Sequence, residues 1–201
     1  MANTIVFTGD SITDSGRRDP ERSPLGSGYV ALLAPELAAA GWQVVNTGIS
    51  GNRARDVAAR RHSDIDAHSP AAVSLLVGIN DVWRRFDSDD PTSAEDFESA
   101  YREILGDPGI RAARWVLLEP FLIPVAPSQH EWAEDLDGKR EVVCSLAAEY
   151  GAAFIPLHAE MNRDASDLGA AALTTDGVHL TPIGYERLAA HWRAYGASAL
   201  A

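Results

Sequence analysis

The sequence predicts a doubly wound α/β domain on a five-stranded parallel sheet, and three features of the 201-residue chain carry that prediction. Short apolar runs alternate with stretches of helical periodicity. The runs are nearly continuous in apolar residues, as strands buried on both faces of a parallel sheet must be. The alternation continues along the chain with no internal repeat and no low-complexity tract, so one domain spanning residues 1–201 is expected.

The expected strands are Thr4–Thr8, Trp42–Asn46, Val73–Val77, Trp115–Leu118 and Phe154–Leu157. After Gly28 the chain reads as a helix that Pro35 kinks or splits. Phe97, Ala100, Tyr101, Ile104 and Leu105 recur at helical spacing behind a capping box of Ser93 and Asp96. Glu131–Tyr150 is a long helix weakened by Gly138. Tyr185, Leu188, Ala189 and Trp192 form the last stripe, with Pro182 in its first turn and Gly196 at its end. Asp87–Thr92 reads as an acidic loop, and the proline-rich Glu119–Gln129 as a structured excursion after the fourth strand.

Composition narrows the partners. With 46% hydrophobic residues the chain can fill a core, and its net charge of −12 repels phosphate backbones and anionic lipid headgroups. Nucleic acid and bare membrane are therefore not expected partners; neutral small molecules and sugars are, and a homo-oligomer stays open. The one cysteine, Cys144, cannot form an internal disulfide and reads as a buried small hydrophobe in the run Val142–Leu146. A strand begins at Thr4 where a signal peptide would lie, and no apolar run is long enough to span a bilayer, so a cytoplasmic protein is expected.

Ligands of such sheets bind beyond the C-terminal ends of the strands, which selects the loops to read. The first is Gly9-Asp10-Ser11, where a glycine turns the chain sharply and a serine presents its hydroxyl. Asp10 and Ser11 would equally well cap the next helix. The second, Asn46-Thr47-Gly48-Ile49-Ser50-Gly51-Asn52, has glycines that let a ligand approach the backbone, and the Gly51 N–H is a candidate oxyanion donor. In the third, Gly78-Ile79-Asn80-Asp81, the Asn80 amide can donate to a developing negative charge, or make an Asx turn. The last, Asp176-Gly177-Val178-His179, spaces a carboxylate and an imidazole so that one can orient the other. A metal reading of that pair lacks further ligands nearby in sequence, His158 being the one distant candidate. Each loop is weak alone. Together they supply a nucleophile, two donors and an Asp/His pair, the parts of a serine acyl-transfer site.

These blocks resemble those of the SGNH branch of the GDSL esterase/lipase family, and the likeness runs from residue 4 to about residue 195. Ile12 stands where the family name has leucine. The resemblance implies a three-layer, flavodoxin-like α/β/α sandwich, the SGNH hydrolase fold. It implies Ser11 as nucleophile, His179 as base and Asp176 as its orienting acid. The oxyanion hole would be formed by Ser11, Gly51 and Asn80, with no metal or organic cofactor. Within the family, the stretches around Ser11, Gly51 and Asn80 look most like bacterial intracellular acetylxylan esterases.

Asp10, Trp83 and Phe121 are candidate substrate contacts; Phe86 and Trp132 lie in the same loops. Core packing explains large aromatics equally well. Ser50 is a rival nucleophile, one position short of a Gly-x-Ser-x-Gly elbow. The expected activity is hydrolysis of short-chain esters, acetylated xylo-oligosaccharides among them. The competing readings are a lysophospholipase or thioesterase of the same family, and a non-catalytic carbohydrate-binding module.

Overall fold

The structure of the protein is a computed structural model that describes residues 3–106 and 113–200. Five parallel strands form one sheet in the order β2-β1-β3-β4-β5. They are β1 (Asn3–Gly9), β2 (Trp42–Asn46), β3 (Ala72–Leu76), β4 (Arg114–Leu118) and β5 (Ala153–Ile155). The helices between and after them are α1 (Ser11–Asp14), α2 (Tyr29–Ala39), α3 (Ala54–Ala59), α4 (Arg61–Asp64), α5 (Ile79–Ser88) and α6 (Ala94–Leu105). They continue with α7 (Ala133–Tyr150), α8 (Leu157–Leu168), α9 (Ala170–Leu173) and α10 (Pro182–His191).

Strand alternation divides the core into two layers, as side chains of period two require. Ile5 and Phe7 of β1 and Val116 and Leu118 of β4 face a layer made with Tyr29 and Leu33 of α2, Met161 of α8 and Leu188 of α10. Val73 and Leu75 of β3 and Leu117 of β4 face the opposite layer, with Val57 of α3, Phe97, Tyr101 and Ile104 of α6, and Val143 and Leu146 of α7. Trp192 closes the first layer, its indole N–H donating to the buried Ser74 hydroxyl at 3.0 Å.

The chain leaves β1 to pair on one side with β2 and on the other with β3. The winding direction thus reverses at β1, and the crevice of the sheet opens beyond the C-terminal ends of β1 and β3. Ser11 follows β1 and Asn80 follows β3, so the switch in topology sets both at that crevice.

Five expectations need correction. Strand β5 stops at Ile155, because Pro156 caps α8, a helix with no strong sequence signal. Pro35 does not split α2: it is exposed, so the carbonyl it leaves without a donor can be hydrated. The helix at the end of the excursion begins at Ala133, behind a 3₁₀ segment at Pro127–Trp132. Cys144 is exposed, not buried. Its run is helical, so Val143, Leu146 and Ala147 take the inward positions and Cys144 faces out. Only half of the box behind Ser93 forms: the Asp96 N–H donates to the Ser93 hydroxyl at 3.0 Å, while the Asp96 carboxylate accepts from that hydroxyl at 2.7 Å rather than from the Ser93 N–H. Among the described residues no helix is long and apolar enough to cross a membrane.

Gly9 is the tightest point of the scaffold. Its φ is +150°, and a Cβ there would lie 2.0 Å from the Leu76 carbonyl oxygen of the neighbouring strand. Gly9→Ala should cost on the order of 3 kcal/mol of stability from backbone strain and overlap. Urea unfolding measures it, and a midpoint equal to wild type would contradict this account of the turn.

Candidate active site

The turn at Gly9 leads directly into α1, whose N-cap is Asp10: its Oδ1 accepts the Ile12 N–H at 3.0 Å. Ser11 is the first residue of that helix and is half-buried. Its Oγ lies 3.0 Å from His179 Nε2. On the far side of the ring, His179 Nδ1 lies 2.6 Å from Asp176 Oδ2. The structure thus brings together three residues drawn from the two ends of the chain. With Nδ1–H donating to the carboxylate, Nε2 is left as an acceptor for the serine proton.

The Asp176–His179 segment is rigid for reasons local to it. Asp176 Oδ1 accepts the N–H groups of Val178 and His179, at 2.9 and 2.7 Å. Thr174 Oγ1 accepts the Gly177 N–H and donates to the His179 carbonyl. Burial acts to raise the Asp176 pKa, but the hydrogen bonds from the His179 ring and from these N–H groups outweigh it and hold the carboxyl below its ordinary value. Asp176 therefore stays ionised. The excursion after β4 is fastened to the same segment. Gln129 Nε2 donates to the Asp176 carbonyl at 2.6 Å, its Oε1 accepts from the N–H groups of Val125 and Ala126, and the Ile123 N–H donates to the Gly177 carbonyl. Gly177, with φ +95°, leaves room for this contact: a Cβ would meet Gln129 Nε2 at 2.7 Å.

The loops carrying Gly51 and Asn80 are tied to each other and to α1. Asn80 is buried, and its Nδ2 donates to the Asn52 carbonyl at 3.0 Å, leaving its second amide hydrogen to point elsewhere. Gly51 is exposed between Ser50 and Asn52. Ser50 gives both its N–H and its hydroxyl to Asp14 Oδ2, each at 2.9 Å. That hydroxyl faces a carboxylate rather than an imidazole, which counts against Ser50 as a rival nucleophile. Arg60 binds the set from behind. Its guanidinium donates to the Gly9 carbonyl at 2.9 Å, the Thr47 carbonyl at 2.8 Å, Asn52 Oδ1 at 2.7 Å, and the Asp64 carboxylate.

An aromatic wall stands beside His179. The Trp83 ring centroid is 5.9 Å from the imidazole and 5.6 Å from Trp132, on which Phe86 stacks at 5.3 Å. Trp83 is half-buried and Phe86 partly exposed, so an edge of this wall faces solvent. Two expected substrate contacts are not at that surface. Phe121 is fully buried, because Phe121, Leu122 and Ile123 turn into the core at the start of the excursion. Asp10 is fully buried because it is committed to capping α1.

Sequence reasoning missed Arg60 and Gln129, which fasten the loops. Asp81 Oδ2 accepts the Ala54 N–H at 3.0 Å, a helix-capping contact that joins the third loop to α3. His158 is neutral, its pKa pushed down to about 4 by burial and by the nearby Arg140. Its Nδ1 faces the Leu122 N–H at 3.4 Å. Among the described residues no three His, Cys, Asp or Glu side chains cluster as a metal site would require.

A flavodoxin-like sheet with serine, glycine, asparagine and histidine at its C-terminal edge defines the SGNH class of hydrolases. Residues 7–187 match the GDSL-like lipase/acylhydrolase family, and the chain belongs to it. It is 36% identical over 197 residues to an acetylxylan esterase of Geobacillus stearothermophilus, with 92% of this chain and 90% of that protein covered. The crystal structure of Axe2, an acetylxylan esterase from that organism, superposes with a TM-score of 0.85 at 34% identity, covering 96% of this chain and 93% of that one. LAE5, an alpha/beta hydrolase enzyme from the metagenome of Lake Arreo, Spain, superposes with a TM-score of 0.84 at 30% identity, covering 96% and 95%. The protein is a carboxylic ester hydrolase of the SGNH type.

Arg60→Lys tests the fastening. Lysine keeps the charge but lacks the fork that reaches several acceptors at once. If the loops shift by about 1 Å, kcat on a nitrophenyl ester should fall on the order of 10²-fold with little change in KM. Full activity in the lysine variant would remove Arg60 from this role.

Proposed function

We propose that the protein hydrolyses short-chain carboxylic esters, acetyl groups on xylo-oligosaccharides foremost, by an acyl-enzyme mechanism on Ser11, His179 and Asp176. The observation that carries this reading is the continuous chain of hydrogen bonds from Ser11 Oγ through the imidazole to Asp176. Ser11 Oγ attacks the ester carbonyl carbon while its proton passes to His179 Nε2. Asp176, held ionised, stabilises the imidazolium and fixes its tautomer. The tetrahedral oxyanion is bound by the N–H groups of Ser11 and Gly51 and by the Asn80 amide. Collapse breaks the bond to the alcohol, which leaves with the proton from His179. Water, deprotonated by His179, then cleaves the acyl-enzyme and releases the acid.

The relatives support the triad. Axe2 variants described as catalytic mutants replace a serine, an aspartate and a histidine, the last two spaced as Asp176 and His179 are. They also support the substrate class, since Axe2 is described as an acetyl-xylooligosaccharide esterase. On this chain the support is the wall of Trp83 and Phe86 beside the imidazole, a surface on which a sugar ring can stack, and an acidic balance that favours a neutral ester.

Ser11→Ala should abolish turnover and leave the melting temperature within about 3 °C of wild type. A serine-directed phosphonate should add its mass to Ser11 and not to Ser50. Asp176→Asn should lower kcat by roughly 10⁴-fold through the wrong tautomer. Acetylated xylo-oligosaccharides should be cleaved far faster than octanoyl esters. The reverse order would favour a lipid or thioester substrate, and no phosphonate adduct at all would favour a binding module.

A further inference from the structure

Next to Ser11 and Asn80 in the chain are two carboxyls, Asp10 and Asp81, that the mechanism does not use. Asp10 and Asp81 are both fully buried. Each spends one oxygen on a backbone N–H, Ile12 for Asp10 and Ala54 for Asp81. The other oxygens, Asp10 Oδ2 and Asp81 Oδ1, are buried and have no hydrogen-bond partner. Two ionised carboxylates in that arrangement would face a large desolvation cost and mutual repulsion, whereas a neutral acid removes the repulsion and leaves only the much smaller cost of burying an uncharged polar group.

The neighbouring cations are committed elsewhere. Asp81 faces Asp10 from the first loop, Arg53 from the start of α3, Lys139 from α7 and Tyr101 from α6. Lys139 Nζ donates to Asp135 Oδ1 and the Thr92 carbonyl, and Arg53 is held by Asp90. Asp10 faces Arg60, Tyr29, Tyr101 and Tyr185, with Arg60 spent on Gly9, Thr47, Asn52 and Asp64. A side cavity of about 330 Å³, with Arg55, Pro91, Thr92, Asp96 and Glu103 on its walls, borders Asp81 and includes none of the residues proposed for the reaction.

We propose that Asp81 is a positioning residue that works in its protonated form. As a neutral acid it accepts the Ala54 N–H and holds the loop of Asn80 against the loop of Gly51. When it loses its proton to water, a negative charge appears next to Asn80 and turnover falls. The role rests on the esterase reading above. Burial pushes both carboxyls up to about 7, against the pull of the backbone hydrogen bonds and of the nearby cations, Lys139 and Arg53 on Asp81 and Arg60 on Asp10; for Asp10 the nearness of Asp81 adds to the rise.

The sign in stability follows from linkage. Both folded pKa values lie above the ordinary value of 3.8, so the folded chain binds more protons than the unfolded chain between about pH 4 and about pH 7. The contribution of these groups to stability falls as pH rises through that window and is level above it.

Asp81→Asn keeps an acceptor for Ala54 and cannot ionise; Asp81→Ala removes the contact. The asparagine variant should retain turnover at about pH 6 within roughly threefold and lack the alkaline fall of kcat expected of wild type. The alanine variant should lose roughly tenfold in kcat with KM unchanged. In thermal melts, the drop in midpoint between about pH 5 and about pH 8 should be smaller in the asparagine variant than in wild type by at least about 3 °C. An unchanged alkaline fall in the asparagine variant overturns the proposal, as does an equal kcat loss in both variants. If the alanine variant does not fold, the melts decide alone: a drop that asparagine at position 81 leaves intact, or that vanishes only in Asp10→Asn, overturns the assignment. The melts do not depend on catalysis, so a failure of phosphonate to label Ser11 would sink the esterase mechanism separately.

Discussion

Arg60 sits where the hydrogen-bond ladder of the sheet ends and no regular structure takes over. Up to that edge the strands align one another: Phe7 is in register with Asn46, and Gly9 with Leu76. Beyond it, each loop carries carbonyls and N–H groups that need partners from somewhere. One guanidinium supplies them to the first loop at Gly9 and to the second at Thr47 and Asn52. Hydrogen bonds to a charged group contribute about 1.5–3 kcal/mol each, so one half-buried fork can set the separation of two loops. The remaining ties extend this frame: Asp14 to Ser50, Asn46 to the Thr13 and Leu25 carbonyls, and Asn80 to the Asn52 carbonyl. The strained turn at Gly9 persists because the structure on both sides over-determines it.

What was legible in the sequence follows from this division. The strands were readable because burial on both faces writes a continuous apolar run, and the α6 stripe because one buried face writes a 3.6-residue period. The hydrogen-bonded set of Ser11, His179 and Asp176 was readable because each follows a strand or precedes a helix in a fixed order. Arg60 was not, because two of its acceptors are backbone carbonyls, and a carbonyl has no letter in the sequence. Gln129 was hidden for the same reason: its partners are the carbonyl of Asp176 and the N–H groups of Val125 and Ala126. Phe121 and Asp10 show the converse error. Position in a strand-end loop says that a residue is near the crevice, not which way its side chain turns. For Cys144 the apolar run was right and its phase was not, since a helix presents successive residues to different faces.

The excursion after β4 is more than a connection. Its first residues are core, its middle is fastened by Gln129 to the Asp176 carbonyl, and its end places Trp132 between Trp83 and Phe86. The same segment therefore sets the backbone of the histidine loop from one side and the aromatic wall from the other. His179 is still open to solvent, with 45% of its side chain exposed. The imidazole is thus oriented by its hydrogen bonds rather than enclosed, which fits a reaction in which water must reach the acyl group in the second half.

The polar layer behind the loops also explains why an acidic protein can support a developing negative charge. Three cations behind the loops are held by acceptors: Arg60 by the loop carbonyls and Asp64, Arg53 by Asp90, Lys139 by Asp135 and Thr92. None stabilises an oxyanion directly, so in the proposed reaction that task falls on N–H and amide dipoles. Dipoles act strongly where the dielectric is low and the surroundings are neutral. Asp10 and Asp81 lie within that surround, and as protonated acids they leave it uncharged. The loops are thus fastened by charges that cancel among themselves, and the crevice is served by dipoles held in place by that fastening.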